Sequence, residues 1–232
     1  MSDTLFRNET KFIIDDIVAE LTKAKLLTLC FPDPHAGEEG CYDIRSLYFD
    51  SVDDRFYHEN LSGISHRHKW RIRIYNCSDE RIALEKKSTI KGLKKKDSCL
   101  VDRERVMKFI SGEISHMDGD SPLLHEFISE AIEDNITPRV IVDYRRTPFV
   151  YPIGNVRVTI DSMIGASYLF DDFFSRDLNL FRAIPMGISV LEVKYDGVLP
   201  HAVREIINSS ANLMPTAFSK YVYCFDAVRT QR

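Results

Sequence analysis

HRHKWRIRIYN, residues 66–76, places a cation at every second position. Side chains alternate across a β-strand, so Arg67, Lys69, Arg71 and Arg73 share one face and Trp70, Ile72 and Ile74 the other. Four cations in register repel one another. For one strand alone, the plain reading is the solvated face of a half-buried antiparallel sheet.

Working outward, the pattern recurs. Arg7, Glu9 and Lys11 share a face of a strand at 6–14, and Glu85 and Lys87 share a face of one at 81–89. Tyr144 and Arg146 align within 138–151. Arg157, Thr159 and Asp161 align within 155–167, backed by Val156, Val158 and Ile160. Glu192 and Lys194 alternate with Leu191, Val193 and Tyr195 in 189–197. A solvent-facing sheet in a chain of net charge −4 should mix signs more evenly than this. The recurrence therefore favours apolar faces covered by helices and charged faces turned inward. Like charges gathered in a confined space call for an anionic guest. Arg forks bind phosphate oxygens bidentately, Lys adds point charge, and interspersed carboxylates can hold a divalent cation.

The remaining elements fit that plan. Helices are expected at 15–30 (with Ile17, Leu21, Ala24 and Leu27 as an apolar stripe), 104–114, 122–134 and 200–211, and a short helix or loop at 52–64. A further strand is expected at 44–51. Lys94–Lys96 belong to a basic stretch, 91–104, expected to be a solvated loop leading into a short strand. Strands dominate and helices are inserted between hairpins, without the regular βαβ alternation of a parallel sheet. The expected fold class is α+β: one domain over residues 1–232, an antiparallel β-barrel with a polar, basic interior and helices outside.

Composition narrows the function classes. A slightly acidic chain argues against non-specific nucleic-acid binding. Five scattered cysteines form no CxxC pair, so reduced thiols are expected rather than a disulfide framework. Seven histidines without HxxxH or HExxH spacing give no support for a zinc site, and His66 and His68 read as edge residues without a catalytic role. The N-terminus lacks the signature of a signal peptide, and no apolar run approaches the roughly 20 residues of a membrane span. These features place the chain in the cytoplasm by expectation.

At this point the sequence resembles a known family. RNETKFII, SLYFDS, KWRIRIY, LEKK, DYRRTPF, VRVTID, VLEVKY and FSKYVY, spread over residues 7–223, resemble the triphosphate tunnel metalloenzymes, specifically the polyphosphate-polymerase (VTC) branch. The resemblance implies that Lys11, Arg71, Arg73, Lys87, Arg146 and Arg157 contact nucleotide phosphates and the growing chain, with Tyr144 assisting. Lys69, Lys194 and Lys220 are further substrate-binding candidates, Lys220 at a tunnel mouth and Lys94–Lys96 near an entrance. Glu192 is the implied main ligand of Mn2+ or Mg2+. Glu9 and Glu85 are ligand candidates or orienters of arginines, Tyr144 is equally a core residue, and Asp161 is unassigned.

The hydrolase and cyclase members carry ExExK in the first strand; here it reads Arg7-Asn8-Glu9-Thr10-Lys11, which disfavours a two-metal triphosphatase. The implied partners are ATP and polyphosphate or triphosphate, and the implied reaction is transfer of the γ-phosphoryl group to polyphosphate. A triphosphatase and a non-enzymatic polyphosphate-binding module are the alternatives.

Overall fold

The computed structural model describes residues 7–210 and 214–230. Phe6 and Ala211, at the ends of two expected elements, lie outside the described residues. The elements run in the order β1 (Asn8–Asp15), α1 (Asp16–Leu27), β2 (Phe31–Pro32), β3 (Tyr42–Asp50), α2 (Arg55–Leu61), β4 (His66–Tyr75), β5 (Ser78–Ile90), β6 (Leu93–Val101), α3 (Arg103–Ser111), α4 (Pro122–Glu133), β7 (Thr137–Tyr151), β8 (Val156–Ser167), β9 (Phe181–Arg182), β10 (Ile188–Tyr195), α5 (His201–Ser210) and α6 (Lys220–Arg229). The strand order is β1-β10-β8-β7-β3-β4-β5-β6, with β2 on β7 and β9 on β8; β1–β10, β10–β8, β3–β4, β4–β5, β5–β6, β2–β7 and β8–β9 pair antiparallel. The expected mainly antiparallel α+β fold is the observed one.

The chain divides into two compact units, each assembled from separated segments. The first comprises Met1–Asp43, Tyr144–Ile164 and Ile184–Phe218; the second Ile44–Asp143, Gly165–Ala183 and Ser219–Arg232. In the first unit the apolar face of β1, β10 and β8 (Phe12, Ile14, Leu191, Val193, Val158, Ile160) packs on Ala19 and Leu26 of α1 and on Val203 and Ile207 of α5. In the second, Leu47, Phe49, Trp70, Ile72, Ile74 and Leu84 pack on Val106 and Phe109 of α3 and on Leu124, Phe127 and Ile128 of α4. In each unit, helices cover the apolar side of the strands; in the second, α6 also meets the charged side, at Lys69 and Tyr48.

The helix boundaries follow from local chemistry. Asp15, Asp102, Ser121 and Ser219 cap α1, α3, α4 and α6 by accepting from backbone N–H groups inside the first turn, and Pro122 opens α4. The start of α2 is capped differently. Its flanking residue Asp54 makes no side-chain cap, and the buried carboxylate of Asp50, at the end of β3, accepts from Phe56 N (2.8 Å) and Tyr57 N (2.9 Å) instead. The same carboxylate accepts from Tyr221 Oη of α6.

Two expectations are corrected. The stripe proposed for α1 does not face the core: Ile17, Leu21 and Leu27 are exposed, and Ala19, Thr22 and Leu26 are buried instead. Periodicity identified the helix but not which of its faces meets the core. Lys94–Lys96 do not form a solvated loop. They lie in β6, which pairs with β5 from Ile82↔Val101 to Ile90↔Leu93. The turn is Lys91-Gly92, both with positive φ, so the hairpin closes two residues earlier than the lysine run suggests.

Candidate functional site

Strand register places the predicted residues on two charged faces, one in each unit. In the second unit Arg71 lies opposite Tyr48 on one side and Glu85 on the other, Arg73 opposite Ser46 and Ala83, and Lys69 opposite Lys87, which in turn faces Lys96. Directly opposed residues project to the same side of a sheet, so these residues share one surface. Arg71 and Arg73 are buried, as is Glu85. Arg71 Nε donates to Glu85 Oε2 (2.7 Å) and its Nη1 to Tyr48 Oη (2.8 Å). Arg73 Nε donates to Ser46 Oγ (3.2 Å), and Lys96 Nζ reaches Glu85 Oε1 (3.0 Å). Burial alone would raise the pKa of Glu85, but Arg71, Arg73 and Lys96 outweigh it and hold the carboxyl well below the usual carboxylate range. Glu85 thus stands among three cations and fixes the fork of Arg71.

Lys69 Nζ donates to Ser219 Oγ (3.0 Å) and lies 5.3 Å from the ring centre of Tyr221. Ser219 caps α6 and Lys220 is its first residue, so Lys69 reaches the end of a helix where N–H groups point outward. His68 Nε2 and Trp70 Nε1 both contact Glu130 of α4 (2.8 Å each), which gives His68 a structural role on the apolar side.

In the first unit Lys11 lies opposite Glu192, which faces Thr159; Glu9 lies opposite Lys194, which faces Arg157. Lys194 Nζ contacts Glu192 Oε1 (2.6 Å) and Glu9 Oε2 (3.7 Å), and Lys11 Nζ contacts Glu9 Oε1 (3.2 Å). Arg146 makes a two-pronged pair with the buried Asp161, Nε to Oδ1 at 2.6 Å and Nη2 to Oδ2 at 2.7 Å, and lies over the Tyr144 ring. Burial would lower the pKa of Arg146, but Asp161 more than compensates, so the guanidinium is held charged. Arg157 Nη2 reaches Tyr42 Oη and Asp33 Oδ2, each at 2.7 Å. Arg157 Nε and Thr159 Oγ1 are buried with no hydrogen-bond partner, a cost a folded chain rarely bears unless something else arrives to pair with them.

The donor set of this second face fits a hard divalent cation. Lys194 Nζ already occupies a point within reach of both the Glu9 and Glu192 carboxylates, and the orphan hydroxyl of Thr159 faces Glu192 across the ladder. Carboxylate and hydroxyl oxygens suit Mg2+ or Mn2+, with phosphate oxygens or water completing the shell.

Sequence reasoning missed several of these partners. Ser46 and Tyr48 sit at alternate positions of SLYFDS and could have been read as a polar face. Tyr42 and Asp33, by contrast, reach Arg157 across more than a hundred residues of chain, and nothing local marks them. Asp161, unassigned from sequence, is the partner of Arg146.

The family model for the VTC domain matches residues 6–229. The chain belongs to the VTC domain family. Solved structures with similar folds include an adenylate cyclase candidate from Bacillus halodurans (17% identity, covering 91% of this chain and 95% of that one, TM-score 0.51). Another is an adenylyl cyclase candidate from Hippeastrum with a dominant triphosphatase activity (12% identity, 97% and 96% covered, TM-score 0.55). At these identities the likeness is one of fold alone. A search of the curated proteins returned no match. Among the described residues, no helix is long and apolar enough to cross a membrane.

Proposed function

We propose that this VTC domain is a polyphosphate polymerase that transfers the γ-phosphoryl group of ATP to the end of a polyphosphate chain and releases ADP. The observation that carries the reading is the register of Arg71, Arg73, Lys69, Lys87 and Lys96 on one face, with a single carboxylate, Glu85, among them. Such a surface is costly without an anion and matches a row of phosphates. In the reaction a terminal phosphate oxygen of the acceptor attacks Pγ as the bond from Pγ to the β–γ bridging oxygen breaks, and that oxygen leaves with ADP. Phosphoryl transfer needs in-line positioning and charge neutralisation more than covalent help.

The proposed roles follow the geometry. Arg71, oriented by Glu85 and Tyr48, and Arg73, oriented by Ser46, bind phosphate oxygens, with Lys69, Lys87 and Lys220 adding charge. On the other face Arg157 and Lys11 contact phosphate; Arg146, locked to Asp161, supplies fixed positive charge beside Tyr144. Glu192 and Glu9 would hold the divalent cation; Glu85 serves as an orienter. A bound Mg2+ or Mn2+ supplies charge neutralisation at the transferring phosphates. Arg7, which stands where the hydrolases and cyclases place a metal-binding Glu, pairs with Asp196 (3.0 Å) at the end of β10 and is occupied structurally. Incubation with ATP and Mn2+ tests the reading: long polymer on a gel with matching ADP is expected. Free phosphate without polymer assigns a triphosphatase instead, and no turnover despite triphosphate binding assigns a binding module.

A further inference from the structure

The second unit carries a cluster that the phosphate reading does not use. His116 and Asp120 lie in the connection between α3 and α4, and His125 lies in the first two turns of α4. A ligand atom from each falls within 4.8 Å of the others. We propose that His116, Asp120 and His125 form a site for a late first-row divalent cation, zinc above all.

His116 Nδ1 and His125 Nδ1 are 2.8 Å apart, with ring centroids 4.8 Å apart and ring planes 26° from parallel, so the two Nδ1 edges face each other. A contact that short holds only when one ring donates and the other accepts, so the two nitrogens converge on one proton. A metal ion replaces that proton and takes both as ligands. Bonds of ~2.0–2.1 Å in tetrahedral geometry put the nitrogens about 3.3 Å apart, so the rings need part by only about half an ångström.

The surroundings hold the ligands in place. His116 Nε2 lies 3.5 Å from Ser129 Oγ, the kind of outer contact that fixes a ligating ring. Asp120 Oδ2 accepts from Arg105 Nη2 and Met117 N, both at 2.9 Å, with Arg105 buried. The turn is closed by Asp120 N donating to Met117 O (3.2 Å) and by Gly119 at φ +87°, a conformation that suits glycine. Little chain entropy remains to be lost on binding.

Two imidazoles and one carboxylate select zinc, cobalt, nickel or copper over magnesium, whereas the oxygen set around Glu192 does the reverse. The nine-residue spacing from His116 to His125 matches no helical zinc motif, because the turn and not a helix face brings the rings together. A bound ion would fasten the 112–121 connection to α4, the helix whose Leu124, Phe127 and Ile128 back the cationic strands.

Tag-free, chelator-stripped full-length protein should be titrated with Zn2+ by calorimetry and with Co2+ by visible absorption. Wild type is expected to bind one more equivalent of Zn2+ than H116A/H125A, with intense tetrahedral Co2+ bands that the variant lacks. Zn2+ should raise the melting temperature of wild type alone. Both histidines are exposed, so the metal-free variant should melt like wild type; if it does not, H116N/H125N, which keeps hydrogen-bonding side chains, replaces it. The single variant H125N should weaken Zn2+ by at least about tenfold. Equal stoichiometry and affinity in wild type and double variant overturn the site. So does loss of the extra equivalent in E9Q/E192Q with retention in H116A/H125A, which moves the zinc to the carboxylate face.

Discussion

Glu85 is the residue on which the cationic face of β4 and β5 turns. It is 2% exposed and stands among Arg71, Arg73 and Lys96, which hold its carboxyl ionised far below the usual range. A folded-state pKa below the unfolded one contributes stability above the unfolded value, and that contribution is lost as pH falls below about 4.5 toward the folded value. Glu85→Gln should therefore lower stability at pH 7 and flatten the acid limb of the stability–pH curve. Glu85→Ala, which leaves buried arginines uncompensated, should cost about 3–5 kcal/mol. Urea melts from pH 3 to 7 check both; an acid limb unchanged in Glu85→Gln rules out the carboxylate as its source. Glu192 makes the contrasting case. Glu192→Gln keeps shape and removes the charge proposed to hold the metal, so turnover should collapse while triphosphate affinity, measured by calorimetry, stays within a few-fold. Arg71→Ala should weaken both, by about 1.5–3 kcal/mol per lost charge-assisted hydrogen bond. If Glu192→Gln keeps full metal-dependent activity, Glu192 is only the partner of Lys194. At this scale the sequence showed which residues share a face, because alternation is local. It could not show that Glu85 has three cationic neighbours or that Glu192 pairs with Lys194, because that depends on register between strands distant in sequence.

Among the elements, α6 is held by one buried polar knot. Asp50 of β3 accepts from Phe56 N and Tyr57 N at the start of α2 and from Tyr221 Oη of α6. Tyr57 Oη in turn donates to Asp226 of α6 (2.8 Å). This arrangement fixes where α6 begins, and with it Lys220 and the contact of Ser219 with Lys69. Burial, then the Asp50 carboxylate, pushes the Tyr221 hydroxyl well above the ordinary tyrosine range, so it remains a donor throughout the working pH range. Tyr221→Phe removes one donor to a buried carboxylate and should cost about 1.5–3 kcal/mol in a denaturant melt. It should also raise KM for the nucleotide more than it lowers kcat, through loosened placement of Lys220. A variant as stable as wild type shows that the backbone donors alone satisfy Asp50. None of this was legible from FSKYVY, where alternating aromatics suit a strand as well as a helix and only the Asp50 contact decides. β6 was obscured for a different reason: three consecutive lysines suppress every strand signal except the alternation that puts Lys94 and Lys96 on one side and Lys95 on the other.

For the whole molecule the question is how a chain with 35 acidic and 31 basic residues would hold the proposed polyanion. The two charged faces divide the work unequally. On β4, β5 and β6, Lys69, Arg71, Arg73, Lys87 and Lys96 outnumber the single Glu85, whereas on the other face Lys11, Arg146, Arg157 and Lys194 share space with Glu9, Glu192 and Asp161. Positive potential is concentrated on the first and oxygen ligands on the second. Attraction to phosphate should then come mainly from the β4–β6 face and weaken as salt screens it. Triphosphate affinity should fall about tenfold or more between ~0.05 and ~0.2 M salt, as expected when several phosphate charges are neutralised and counterions are released. Arg73→Ala should shallow the log–log salt slope by about one, the signature of a lost phosphate contact. Arg146→Lys, on the balanced face with its charge kept, should leave the slope as it is. Calorimetric titrations at four salt concentrations decide between them. Equal slopes for wild type and Arg73→Ala mean that the β4–β6 cations serve the fold, and that phosphate is bound by the face that carries Glu192.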